Sequence, residues 1–185
     1  MDTGHSSTAQ PSPNDDRSSV DCFAYATQLA MAGDTSYRKR YLGVMTALTG
    51  HDVQLFAEEY ATHLQKLNLI SSTKVTRITW QDLTKDTHMP GLAFHDVFNK
   101  AAGGVLLIED TYKDYQTLDA RVVNYKADQI LFYQVDKCAF DDVARTFRES
   151  AEKPVVILSG RAAALRSTIE TDSGFDSRFV QRVGI

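Results

Sequence analysis

Cysteine is scarce in this chain, with two among 185 residues, Cys22 and Cys138. They lie far apart, and no second thiol or histidine follows either at zinc-finger spacing, so neither a disulfide framework nor a structural zinc is indicated. Long apolar runs are lacking too. The longest, such as Val105 to Ile108 and Val155 to Leu158, fall far short of the ~20 residues of a membrane-spanning helix. The N-terminus has neither the apolar core of a signal peptide nor an Arg-rich amphipathic pattern. A soluble, intracellular protein with no membrane partner is the expectation. An excess of positive charge is also missing: 20 Lys and Arg face 24 Asp and Glu, for a net charge of −4. Such a balance gives no long-range attraction to phosphate backbones or anionic lipid, so no nucleic-acid partner is expected. What is present is 43% apolar content, enough at this length to bury one real core.

Residues Met1 to Ser19 are dominated by Ser, Thr, Asp, Pro and Asn, with no large apolar residue after Met1. They cannot bury enough surface to offset the entropy of ordering, and 1–19 is read as a disordered tail. Residues 20–35 read as a short helical lead-in. Phe23, Tyr25, Ala26, Leu29 and Ala30 recur at roughly helical spacing, and the pattern stops at Gly33 and Asp34. From 36 to 185 strand and helix patterns alternate. Tyr41 to Leu48 is a short apolar strand. Asp52 is placed to cap a helix whose stripe runs through Leu55, Phe56, Glu59, Tyr60, His63, Leu64 and Leu67. Lys74 to Trp80 alternates and is β-branched, as strands are. After a break at Pro90 and Gly91, Leu92 to Ala102 predicts a helix with Phe94, Val97 and Phe98 inward. Gly104 to Glu109 is a strand buried on both faces. Leu118 to Glu152 predicts two helices parting near Asp136, Val155 to Ser159 another buried strand, Ala162 to Glu170 a short helix, and Phe179 to Val183 a last strand. This alternation predicts an α/β fold with a mostly parallel sheet, whose site lies at the strands' carboxyl ends. Glu109, Asp110, Ser159 and Gly160 all fall there.

Two further groups invite a functional reading. Glu59 and His63 stand one turn apart, but without a third ligand they read as an i,i+4 pair on a wet helix edge rather than a zinc site. Tyr112, Tyr115, Tyr125, Phe132 and Tyr133 form an aromatic-rich middle region, open to two readings: a partner-binding surface or the packing of the long helices.

Three segments, GGVLLIEDTY at Gly103 to Tyr112, PVVILSGR at Pro154 to Arg161 and GFDSRF at Gly174 to Phe179, together resemble consecutive motifs of AAA+ ATPases. The likeness is to the branch containing the rubisco activase CbbX and the sporulation protein SpoVK. Upstream, RITWQDL at Arg77 to Leu83 and FNKAAGG at Phe98 to Gly104 fall where that branch has its second strand and the lead into Walker B. The resemblance covers about Tyr41 to Ile185. It implies a three-layer α/β/α sandwich around a five-stranded sheet of order 5-1-4-3-2, and it makes Arg178 the counterpart of the arginine finger, which acts on a neighbouring subunit's nucleotide.

The departures from the family pattern decide the expected function. A phosphate-binding loop needs glycines whose N–H groups wrap the phosphates, a Lys for their charge and a Ser or Thr for magnesium. Here ALTGHDVQLFAEEY at Ala47 to Tyr60 occupies that place, several residues too short, with Gly50, His51 and Asp52 as the relic of the loop and no Gly-Lys pair anywhere in the chain. Walker B is inverted: Glu109 matches the family's Asp and Asp110 its catalytic Glu, each off by one methylene, about 1.5 Å of reach in sites held to about 0.5 Å. No helical lid is expected after the last strand. The resemblance therefore implies a catalytically inactive pseudo-ATPase domain that needs no cofactor and acts through protein–protein interaction, set against an active AAA+ ATPase partner that it modulates. Two alternatives stay open: a divergent ATPase that binds ATP and Mg2+ with Glu109 and Asp110 as a modified Walker B, and an effector-like interaction protein on a reused scaffold.

Overall fold

The computed structural model describes residues 19–33, 42–84, 96–111, 153–171, 179 and 181–185. The tail at 1–18, Pro90 and Gly91, the start of the helix expected from Leu92, the helices expected within 118–152 and the segment 174–178 lie outside the described residues. So does the aromatic group from Tyr112 to Tyr133.

The sheet is built from β1 (Val44–Thr46), β2 (Val75–Thr79), β3 (Val105–Thr111), β4 (Val155–Gly160) and β5 (Gln181–Val183). Its order is β2-β3-β4-β1-β5, and every pairing is parallel. Successive side chains on a strand point to opposite faces, and here both faces are apolar. Val44, Val105, Leu107, Val155 and Ile157 join one core cluster. Met45, Leu106, Ile108, Val156 and Leu158 join the other. That double burial is why β3 and β4 read as unbroken apolar runs.

The first cluster is covered by α1 (Ser19–Met31) and α2 (Gly50–Lys66). In α1 the buried positions are Cys22, Ala26 and Leu29. In α2 they are Val53, Phe56, Ala57, Tyr60, Ala61 and Leu64, the three-and-four spacing of a single stripe. Asp52 does not cap α2. The N-cap is Thr49, which makes no side-chain cap bond, and Asp52 acts from within the first turn, where a negative charge faces the positive end of the helix dipole. Tyr60 is buried on this face and donates its hydroxyl to the Leu42 carbonyl at 3.1 Å. Loss of water raises its pKa well above the ordinary phenol value, so the ring is a neutral donor. The second cluster is covered by α3 (Trp80–Thr84), by a helical stretch at 96–100, α4, and by α5 (Ala162–Thr171). Trp80 opens α3 rather than closing β2. Thr79 accounts for this: its Oγ1 accepts the Asp82 N–H at 3.1 Å and donates to Asp82 Oδ2 at 2.7 Å, a reciprocal cap.

Two glycines fix the entry into β3. Gly103 has φ +74°, and its carbonyl accepts the N–H groups of Ser71 and Ser72 at 3.1 and 2.8 Å. At Gly104 the chain passes so close to β2 that a Cβ there would lie 2.3 Å from the Lys74 carbonyl oxygen.

One buried group is out of keeping with this core. Gln181 is fully buried on β5, beside Val44, and among the described residues neither its Nε2 nor its Oε1 has a hydrogen-bond partner. A buried polar group left unpaired costs about 1–3 kcal/mol. Gln181→Leu, close in volume, is expected to raise the denaturant midpoint without changing the slope. The expected gain of ~1 kcal/mol corresponds to about 2–4 °C in Tm for a chain of this size. A fall in midpoint would show that the amide does hold a polar partner.

Candidate functional site

The parallel sheet brings the ends of β1, β3 and β4 to one edge, beside the start of α2. Thr46 and Ser159 are register partners there, and Glu109 ends the paired run of β3 with β2, opposite Thr79. Gly50, His51 and Asp52 form the first turn of α2. The backbone of Asp110 lies in β3, and its side chain lies outside the described ones, as does Arg178. Phe179, next to Arg178, is buried, its Cε1 3.1 Å from where a Cβ on Gly43 would sit.

The β1–α2 connection is three residues, Ala47 to Thr49. Three of its backbone groups are already used. The Ala47 N–H donates to the Val183 carbonyl at 2.9 Å, and the Leu48 N–H donates to Thr46 Oγ1 at 3.0 Å. The Leu48 carbonyl accepts the Ser159 hydroxyl. An anion nest needs successive N–H groups turned toward one empty point. Here the first two amides of the turn are bound to the sheet instead.

Glu109 is engaged in the same way. Arg77 Nε donates to its Oε2 at 3.0 Å and Nη2 to its Oε1 at 2.9 Å, with Nη2 also 2.8 Å from Oε2. The third nitrogen, Nη1, donates to Gln54 Oε1 on α2 at 2.6 Å, and Gln54 Nε2 donates to Glu58 Oε1 at 2.9 Å. The alternation explains the convergence. Arg77 and Thr79 share one face of β2, Thr79 pairs with Glu109, and α2 packs over that face. The Glu109 side chain is 15% exposed and that of Arg77 41%, so water screens the pair in part, and its strength comes from the two-toothed guanidinium–carboxylate geometry.

No protein-family model matches the chain, and no curated protein sequence does either.

Among the described residues no group of three or more His, Cys, Asp or Glu side chains is placed to hold a metal ion. Nor is any described helix long and apolar enough to cross a membrane. Glu59 and His63, expected as a pair on α2, are not one: His63 Nε2 lies 3.1 Å from both the Phe23 carbonyl and Thr27 Oγ1 on α1. The ring sits edge-on to Phe23, 5.1 Å between centres, and ties the two helices together. Arg77 and Gln54 were not anticipated from sequence. Parity was the one partial signal. Alternation puts Arg77 on the same face of its strand as Thr79, but only the register of β2 on β3 places that face beside Glu109.

Proposed function

We propose that this chain is a catalytically inactive, AAA+-like domain that works by binding protein. The observation that carries the proposal is the Arg77–Glu109 contact, in which both oxygens of the one fully described Walker B-like carboxylate are taken by a cation of the same chain. Magnesium held by one or two carboxylates depends on substrate phosphates and water for its remaining ligands, and the three-residue β1–α2 turn offers no cradle for such phosphates. The strand order β5-β1-β4-β3-β2 supports the AAA+-like part of the reading, since the sequence resemblance implies the same order. So do the apolar clusters on the two faces of the sheet, which fit a three-layer sandwich. The partner that the resemblance implies is an active AAA+ ATPase.

Nucleotide titration tests this directly. A ligand that binds the folded state alone at a hundredfold excess over its Kd stabilises by about 2.7 kcal/mol, an easily seen rise in Tm. ATP with magnesium at millimolar concentration is expected to leave the melting curve of this protein where it was. A saturable rise, abolished by Glu109→Gln, would replace the proposal with a divergent ATPase.

A further inference from the structure

The surface next to this site has its own chemistry. Between α1 and α2 runs an open groove of about 450 Å³, lined by Phe23 on its α1 side and by Leu55, Glu58, Glu59, His63 and Lys66 on its α2 side. Leu55 is 46% exposed, one of two large apolar side chains so presented among the described residues. The α2 positions recur at intervals of three and four, the spacing that an apposed helix reads. Phe23 cannot retreat from the groove. Its ring is wedged edge-on against Phe56, Tyr60 and His63 at 6.0, 5.4 and 5.1 Å, while His63 holds the carbonyl of the same residue. The apolar floor is therefore preformed and would cost little ordering on binding. Two neighbouring carboxylates flank it. Among the described residues the Glu59 carboxylate makes no ion pair or hydrogen bond, and the Glu58 carboxylate is held only by the neutral Gln54 amide. The one cation among the described residues of the groove, Lys66, stands at its far end, two turns from Glu59.

We infer that this groove is a docking surface for a cationic amphipathic helix of a partner protein, seating an apolar anchor on Leu55 and Phe23 and a Lys or Arg on Glu58 and Glu59. The inference rests on the reading of this domain as a protein-binding module and names the chemistry of the partner. Charge complementarity selects the occupant. The chain's own first eighteen residues carry Asp2, Asp15 and Asp16 against a single Arg17 and no large apolar residue beyond Met1, so they supply neither the anchor nor the charge. A membrane is excluded by the same sign, since acidic rims are repelled by anionic lipid. The groove also adjoins the strand-end network, because Glu58 holds Gln54 and Gln54 holds Arg77. A partner cation drawing Glu58 away acts on the Arg77 contact through one side chain.

The probe is a synthetic amphipathic peptide of leucine and lysine, about four helical turns long, with a leucine–glutamate counterpart that keeps every leucine. The isotope-labelled full chain is titrated with each and followed by amide NMR. The leucine–lysine peptide is expected to shift the Phe23, Leu55, Glu59 and His63 amides saturably, more weakly as salt is raised. Leu55→Lys should weaken it about tenfold and Glu59→Lys several-fold, both being exposed sites where folding is undisturbed. Equal binding of the glutamate peptide, unchanged affinity in both variants, or no saturable shift in this groove would each overturn the inference. None of these outcomes touches the pseudo-ATPase reading, which stands or falls on the ATP titration.

Discussion

Alanine in place of Gly104 is expected to destabilise the fold by about 3 kcal/mol or more, enough to unfold a marginal domain at ordinary temperature. The reason is not backbone freedom but space. A Cβ at this position would stand 2.3 Å from the Lys74 carbonyl oxygen, and that oxygen cannot step aside, because it accepts the Val105 N–H at 2.9 Å. The Gly104 carbonyl in turn accepts the Val155 N–H at 2.9 Å. Moving Gly104 thus disturbs the start of β2, β3 and β4 together. Urea unfolding followed by circular dichroism gives the measurement, with Gly33→Ala as a control. That residue has φ +79° but nothing within 4 Å of its Cβ position, so only the conformational cost of about 1 kcal/mol applies. Equal losses at the two sites would remove the steric account of β3's entry.

The second large effect lies at Arg77. Arg77→Ala strips Glu109 of all its described side-chain donors and leaves a carboxylate 15% exposed without its counter-charge. Removing one member of a fully buried pair costs about 3–5 kcal/mol. Because the Arg77 side chain is 41% exposed, water screens the site, and a loss of about 1–2 kcal/mol is expected. The double variant Arg77→Ala with Glu109→Ala should recover part of that loss, and the cycle should return a coupling energy of about 1 kcal/mol or more. Additive single effects would mean that the contact is incidental, and with it would go the main support for an inactive site.

The sequence disclosed the strands better than their termini. β3 and β4 were legible because a short run of consecutive apolar residues has to be covered on both sides, and a central parallel strand is where the chain finds that cover. α2 was legible because Phe56, Tyr60 and Leu64 recur at helical spacing, but Leu55 and Glu59, read into the same stripe, are exposed, and the small side chains of Ala57 and Ala61 with Val53 take the buried places. Its start was not: Asp52 is a favoured capping residue, but the tight turn after Thr46 makes Thr49 the cap, a decision taken by the chain's path rather than by propensity. The edge of β2 was missed for a similar reason, since Trp80 has a strand-like side chain, yet the Thr79–Asp82 exchange of hydrogen bonds turns the chain into α3. The lack of a Gly-Lys pair and of a glycine-rich run before α2 could be read directly, because glycines and lysine are either there or not. The Arg77–Glu109 contact could not. It depends on which strand lies beside which and in what register, and nothing local in either segment carries that information.

The strand order has a bearing on how the chain must be assembled. β1, at residues 44–46, finds its partners only at 157–159 and 181–183. The centre of the sheet therefore cannot close until the ribosome has made the chain beyond residue 159. Until the last strands emerge, an apolar ribbon waits unpaired. Such distant pairing is slow and exposes the nascent chain to self-association, so yield in cells should depend on chaperone supply more steeply than the final stability alone would suggest.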